Sequence, residues 1–239
     1  MATPGSLNLR NWSAPETLDP TDALAAPIDA RGADWSGRDL GRADLRNGNL
    51  CRCDLRGANL RGCQLEGTDL RLAKYDSKTR VPENFDLTKS GAVGPGAKLN
   101  GAFLNNADLR GIDFRKAVLL GAYLSGADLS GALLDGISLA GSDLRHATLR
   151  GAMCRQTRFG TSELDLADLR GADLEGADLE SVQSIKGADF SYCTGMEDKV
   201  AALLNRSAIE LDHWNPVTRS STRSSLESLQ ITQEGSQQT

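Results

Sequence analysis

Few residues in this chain have the type and spacing to do covalent or metal chemistry. Only two of the 239 residues are histidine. His146 lies in "DLRHATLR", three places after Asp143, a spacing that could pair a carboxylate with an imidazole for proton transfer. It also stands one place before an alanine that belongs to a repeating pattern, so its side chain is expected to face solvent. His213 stands beside Trp214. Five cysteines are present: Cys51, Cys53, Cys63, Cys154 and Cys193. Cys51-x-Cys53 invites a metal or redox reading, but zinc needs four convergent ligands, and the other thiols are scattered. An odd, dispersed set is not a disulfide framework and fits reduced thiols. "GAVGPGAK", residues 91–98, has the glycines of a phosphate loop. It lacks the Gly-Lys-Ser/Thr ending and a strand-to-helix context, and reads as a turn. Neither a nucleophile elbow nor a dinucleotide fingerprint is present. The expectation is a protein that is not an enzyme, with no cofactor and no metal site.

What could position these residues follows from composition and period. Hydrophobic residues make up 39% of the chain and aromatics only 5%, so the core must be built from small and aliphatic side chains. The net charge of −5 is too mild to indicate direct nucleic-acid binding through a basic face. The first twenty residues show no basic start followed by an apolar run, so no signal peptide is expected. The longest apolar stretch, "AVLLGAYL", is far short of the roughly 18 residues of a membrane span. A cytoplasmic location is expected.

A bulky residue recurs every five positions. One run of centres is Trp35, Leu40, Leu45, Leu50, Leu55, Leu60, Leu65, Leu70 and Tyr75. A second passes from Leu99 to Leu179 without a slip, through centres that include Phe114, Cys154 and Phe159. Two places before the centre the residue is nearly always small. In the second run it is alanine in twelve of seventeen phrases, and the exceptions are Ile112, Ile137, Ser142, Thr157 and Ser162. An α-helix would spray these leucines round every face. A flat strand would flip them at each step. A coil with a corner in each phrase keeps both residues inside, stacks successive turns at about 4.8 Å, and joins them by backbone hydrogen bonds.

The phrases "CDLRGANLRG", "SGADLSGALL" and "LADLRGADLEGADLE" resemble those of the pentapeptide repeat proteins. The resemblance covers residues 33–75 and 97–190. It implies an all-β fold: a right-handed quadrilateral parallel β-helix, four phrases per turn, here about six and a half turns and on the order of 30 Å long. Columns would then join centres twenty apart, such as Leu109, Leu129, Leu149 and Leu169. The expected organisation is an N-terminal non-repeat cap (1–30, with a short helix near "APETLDPTDALA"), a first repeat block (31–75), an interrupting loop (76–98), a second block (99–192), a helical cap and tail (193–226) and a disordered C-terminus (227–239).

The interruption "DSKTRVPENFDLTKSGAVGPGAK" leaves two readings open: an irregular turn with a bulging loop, or a loop thrown out of the coil. Loops thrown out of the coil carry function in gyrase-protecting relatives, which makes Asp76, Lys78, Arg80, Pro82, Phe85 and Pro95 candidate interaction residues. A second break after Leu179 inserts one residue, with Ile185 and Phe190 as the next centres. "GMEDKVAALLNRSAI" reads as a short helix that caps the open sheet edge or serves a dimer through the C-terminal end. "LDHWNPVTRSSTRSSLESL" resembles the C-terminal segment of many cyanobacterial pentapeptide proteins.

Residues 31–75 hold nine Lys/Arg against six Asp/Glu, whereas residues 161–180 hold seven acids against one base. Glu163, Asp165, Asp168, Asp173, Glu175, Asp178 and Glu180 therefore form a candidate acidic face. Arg46, Arg56, Arg61 and Arg71 are expected to pair with neighbouring acids across turns. The function these features imply is a scaffold for protein partners, monomeric or dimeric. By the family resemblance it would assemble or regulate a photosynthetic or thylakoid-associated complex from the cytoplasmic side. The alternative is a DNA-mimicking modulator of a type II topoisomerase.

Overall fold

The computed structural model describes residues 27–236. The expected N-terminal cap lies outside the described residues except for its last four positions. The chain divides into two compact units, Met1–Ala97 and Lys98–Thr239.

Within each unit the phrases wind into a coil whose turns meet at single parallel bridges rather than along continuous strands. In the second unit the bridged residues are twenty apart: Asp108 with Asp128, Leu133 with Met153, Arg158 with Asp178. Twenty residues per turn is four phrases per turn. Around one bridge, the Leu109 amide donates to the Asp128 carbonyl at 2.8 Å and the Asp128 amide donates to the Ala107 carbonyl at 3.0 Å. Each corner closes with an amide donating three residues back, as from Ala132 to Leu129 at 3.0 Å. At most corners the third residue has positive φ, as in a type II turn. Glycine meets that demand without strain, and Gly131 sits there at φ 64°. Where glycine is missing, His146 (φ 59°), Thr161 (φ 54°) and Leu166 (φ 58°) adopt the same conformation.

Centres and small residues fill the interior. Every small position from 107 to 177 is buried, including Ile112, Ile137, Ser142, Thr157 and Ser162. Each buried leucine contributes roughly 1.5–3 kcal/mol against the cost of ordering its phrase. Polar residues at the small position usually donate to the carbonyl of a centre in the turn before. Thr68 donates to Leu45 at 2.9 Å, Ser142 to Leu119 at 2.8 Å and Thr157 to Leu134 at 2.7 Å. The Cys53 thiol does the same toward Ala30, at 2.7 Å.

After Leu179 the bridges lengthen to twenty-one, as between Glu163 and Ser184 or Asp168 and Asp189. The coil then ends under two short helices, α1 (Val200–Leu204) and α2 (Ala208–Leu211), a two-residue hairpin of β1 (Trp214–Asn215) and β2 (Ser220–Ser221), and α3 (Thr222–Ser236). These segments satisfy backbone groups that a further turn would have taken. Glu210 accepts from the Ile185 amide at 3.3 Å, and Thr222 donates to the Ile185 carbonyl at 3.0 Å. Ser225 accepts from the Phe190 amide at 3.1 Å. Asn215, only 1% exposed, donates to the Gly187 carbonyl at 2.9 Å and accepts from the amides of Val217 and Thr218. α3 corrects the expectation of disorder from residue 227, because the chain stays helical to Ser236. Leu226 and Leu229 are buried on that helix, a spacing that holds its polar sequence in place.

Candidate interaction surfaces

Residues 76–97 build a turn of the first unit's coil. The Arg80 amide donates to Ala58 at 2.9 Å, and the Arg80 carbonyl accepts from Leu60 at 2.7 Å. Val93 is bridged to Lys74. Thr79 fills a small position, donating to the Leu55 carbonyl at 2.8 Å. A short 3-10 helix, Leu87–Lys89, buries Leu87. Gly94 lies where a Cβ would stand 2.9 Å from the Tyr75 ring, and the Tyr75 hydroxyl donates to the Pro95 carbonyl at 2.8 Å. Of the two readings left open for this segment, the irregular turn describes it.

The six candidate residues of this turn therefore have unequal standing. Asp76 accepts from the amides of Gly57, Lys78 and Thr79, a structural task. Pro82, Phe85 and Pro95 are half-buried, and Lys78 and Arg80 project into solvent.

The seven acids do not share one face. Glu163, Asp168, Asp173 and Asp178 belong to four different ladders, bridged back to Asp143, Thr148, Met153 and Arg158 respectively. They ring the coil, because a step of five residues is a quarter of a turn. Several are neutralised. Asp168 is buried and takes two bonds from Arg170, at 2.8 and 2.6 Å. Asp173 pairs with Arg155 at 2.6 Å and Glu163 with Arg145 at 3.2 Å. Glu175 and Glu180 are exposed, Asp178 accepts from the Glu180 amide, and one oxygen of Asp165 is buried without a partner among the described residues.

In the first block arginine pairing differs from the expected ladders across turns. In Asp-x-Arg phrases the guanidinium grips the aspartate two places before it, within one phrase. Arg46 reaches Asp44 at 2.8 and 2.6 Å, Arg71 reaches Asp69 at 2.9 and 2.6 Å, and Arg56 grips Asp54 likewise. The same aspartate accepts the arginine's own amide, at 3.1 Å for Asp44. The Arg46 hydrogen bonds hold the Asp44 carboxyl down at about 2. Arg115 and Arg145 lower Asp113 and Asp143 in the same way, against the opposing effect of partial burial.

The thiols and imidazoles take no part in a shared site. Burial pushes Cys53 and Cys193 up to about 12 and Cys63 to about 11. His146 is exposed on its corner. Among the described residues no group of three His, Cys, Asp or Glu side chains gathers as a metal site, and no helix is long and apolar enough to cross a membrane. A cavity of about 400 Å³ beside the cap is lined by Ser191, Tyr192, Cys193, Thr194, Ser224, Ser228 and Leu229.

One surface feature escaped the reading of the sequence. Phe103 and Tyr123, bridged across one turn of the second unit, stack with ring centroids 4.9 Å apart and planes within 9°. Phe103 is 79% exposed, Tyr123 45%, and Leu120 on the adjoining corner 43%. The signal was available: two aromatics twenty residues apart, each at the outward position before a centre.

The coil of five-residue phrases is that of a known family. The model for pentapeptide repeats matches eight copies, over residues 39–74, 96–131, 127–164, 154–183 and 162–194, more than half of the chain. The chain belongs to the pentapeptide repeat family, and membership implies the right-handed β-helix. It is similar to a pentapeptide repeat protein of the Arabidopsis thaliana thylakoid lumen, at 31% identity over 55% of this chain and 88% of that one, with a TM-score of 0.41. It is similar to HetL, a pentapeptide repeat protein involved in heterocyst differentiation regulation in the cyanobacterium Nostoc sp. strain PCC 7120. There the identity is 31% over 70% and 76% of the two chains, with a TM-score of 0.23. QnrB1, a plasmid-mediated fluoroquinolone resistance protein, aligns at 18% identity over 79% and 92%, with a TM-score of 0.34. No curated protein sequence matches the chain.

Proposed function

We propose that this protein is a non-enzymatic scaffold that binds a protein partner through a side of its second coil. The observation that carries this reading is the solvent-exposed stack of Phe103 on Tyr123, flanked by Leu120. Large apolar side chains grouped on a soluble surface mark an interaction site. The C-terminal end of the coil is covered by the chain's own tail, which favours contact through a side over dimerisation at that end. Lys78 and Arg80 of the irregular turn offer a second, polar contact. The setting we propose is a photosynthetic or thylakoid-linked complex approached from the cytoplasm, on the strength of the tail resemblance. A DNA mimic acting on a topoisomerase is the weaker reading, since it calls for a continuous acidic face and these acids ring the coil.

The test is a native pulldown with the tagged full-length protein beside a Phe103→Ser/Tyr123→Ser variant and a Lys78→Ser/Arg80→Ser variant. Substitution is used because removing residues 76–97 would remove a coil turn. A partner retained by the parent and lost from the aromatic variant supports the reading. Equal recovery by both removes the aromatic pair from it.

A further inference from the structure

The ladder that carries the aromatic pair runs on, rung by rung, from Phe103 to Tyr123, Asp143, Glu163 and Ser184. Its first two rungs are aromatic and the next two acidic. Arg145 is shared between Asp143 and Glu163, at 2.8 and 3.2 Å. Asp165, on the corner that follows Glu163, adds a third carboxylate, with one oxygen buried and unpartnered among the described residues. One side of the coil thus passes from an apolar platform to a net negative stretch before Ser184.

We propose that this side docks an extended segment of a partner protein, with an aromatic residue or proline on Phe103 and Tyr123 and a lysine or arginine against Glu163 and Asp165. The inference rests on the scaffold reading and names the chemistry of its partner. Rungs are spaced by about 4.8 Å, so Phe103 and Glu163 lie about 14 Å apart. An extended chain advances about 3.3 Å per residue and spans that distance in about four residues. The charge excess selects a basic residue at the far end. Area argues against a second copy of this chain as the occupant. Three partly exposed side chains offer on the order of 300 Å², where a stable dimer needs about 800 Å² from each partner. A short anchor with a charged follower fits that size.

The probe is a displayed library of random twelve-residue peptides, selected against the full-length protein. Enriched peptides should carry an aromatic residue or proline and, three to five places away, a lysine or arginine. Synthetic copies should bind the Phe103→Ser/Tyr123→Ser variant about fivefold or more weakly, the loss expected from truncating an anchor. Glu163→Gln/Asp165→Asn should weaken binding by roughly two- to fivefold and flatten its salt dependence. Phe103 and Tyr123 are exposed and Glu163 and Asp165 half-buried, and thermal melts matching the parent's verify folding. The proposal is overturned by an absence of enrichment, by enriched peptides without basic residues, or by binding indifferent to either variant. An overturned result beside a pulldown partner that still depends on Phe103 and Tyr123 would leave the scaffold reading standing with a different partner chemistry.

Discussion

Ser142 donates its hydroxyl to the Leu119 carbonyl at 2.8 Å, reaching back one turn from a small interior position. Ser162 occupies the same position one turn later, is fully buried, and has a hydroxyl without a partner among the described residues. Burying an unmade hydrogen bond costs about 1–3 kcal/mol, whereas a made one contributes about 1 kcal/mol. Ser162→Ala should therefore stabilise the protein by about 1 kcal/mol and Ser142→Ala should destabilise it by a similar amount. Urea unfolding of the two variants checks the opposite signs. A loss of stability in both would show that the Ser162 hydroxyl is satisfied in solution.

The corners make a second test, on the backbone alone. Thr161 is β-branched and sits at φ 54°, a conformation that costs an ordinary residue about 1–2 kcal/mol. Thr161→Gly should stabilise by up to about 1 kcal/mol after glycine's greater freedom in the unfolded chain is subtracted. Gly131 sits at φ 64° with open space around a Cβ built on it, so Gly131→Ala should cost about 1 kcal/mol without any clash. Thermal melts of both variants read the effect.

Asn215 ties the tail to the last turns of the coil. Replacing it with alanine strands the Gly187 carbonyl and the amides of Val217 and Thr218. The expected loss is about 2–3 kcal/mol. It should appear first as faster hydrogen exchange across residues 185–226, because the end of a coil opens locally before the whole unfolds. Unchanged protection there would mean that Thr222, Ser225 and Glu210 hold the cap without it.

Acid should loosen the structure through its Asp-x-Arg grips. Asp44 is lowered to about 2 by Arg46, and Asp113 and Asp143 are lowered by Arg115 and Arg145. An unfolded aspartate titrates near about 3.9. A carboxyl depressed in the folded state contributes fully above the unfolded value and loses that contribution as pH falls through the folded one. Each exposed grip contributes little, but they are numerous. The melting temperature should hold from pH 7 to pH 5 and fall between about pH 4 and about pH 2. A flat profile down to pH 2.5 would show that the grips do not matter to stability.

Cysteine labelling separates the single half-buried thiol from the four buried ones. Only Cys51 has intermediate exposure. Burial raises all five thiols, Cys53 and Cys193 to about 12. At pH 8 the native protein should react with a thiol reagent at Cys51 alone, slowly, and at all five sites once denatured. Mass spectrometry of the labelled peptides decides it.

The interior was legible in the sequence because its rule is local: a small residue, an outward residue and a bulky one, then a corner. Trp35, Cys154 and Phe159 satisfy it as well as leucine does, and all three are buried. Residues 76–97 hid from the same rule because their turn is held by unlike means. Thr79 takes a small position by hydrogen bonding, and Gly94 leaves room for the Tyr75 ring. α3 was missed past residue 226 because polar residues dominate there, and Leu226 and Leu229 are the buried apolar side chains among its described residues. The supposed acidic face was an error of arithmetic. Charges five apart look continuous along the chain and stand a quarter turn apart in space.

The twenty-residue rung gives this molecule something like a reading frame. Excising twenty residues inside the second coil would remove one storey and leave every remaining side chain on its own face. Excising five would preserve the interior, since each phrase is self-similar, yet rotate everything downstream by a quarter turn. A five-residue excision between Tyr123 and Asp143 would part the aromatic pair from Asp143 and Glu163. The single residue added after Leu179 shows where the frame is forgiving: rungs that span it grow to twenty-one, with Ile185 and Phe190 still buried. Length can therefore vary in such a protein by whole storeys with its surfaces intact, whereas smaller changes re-sort which residues meet on each side.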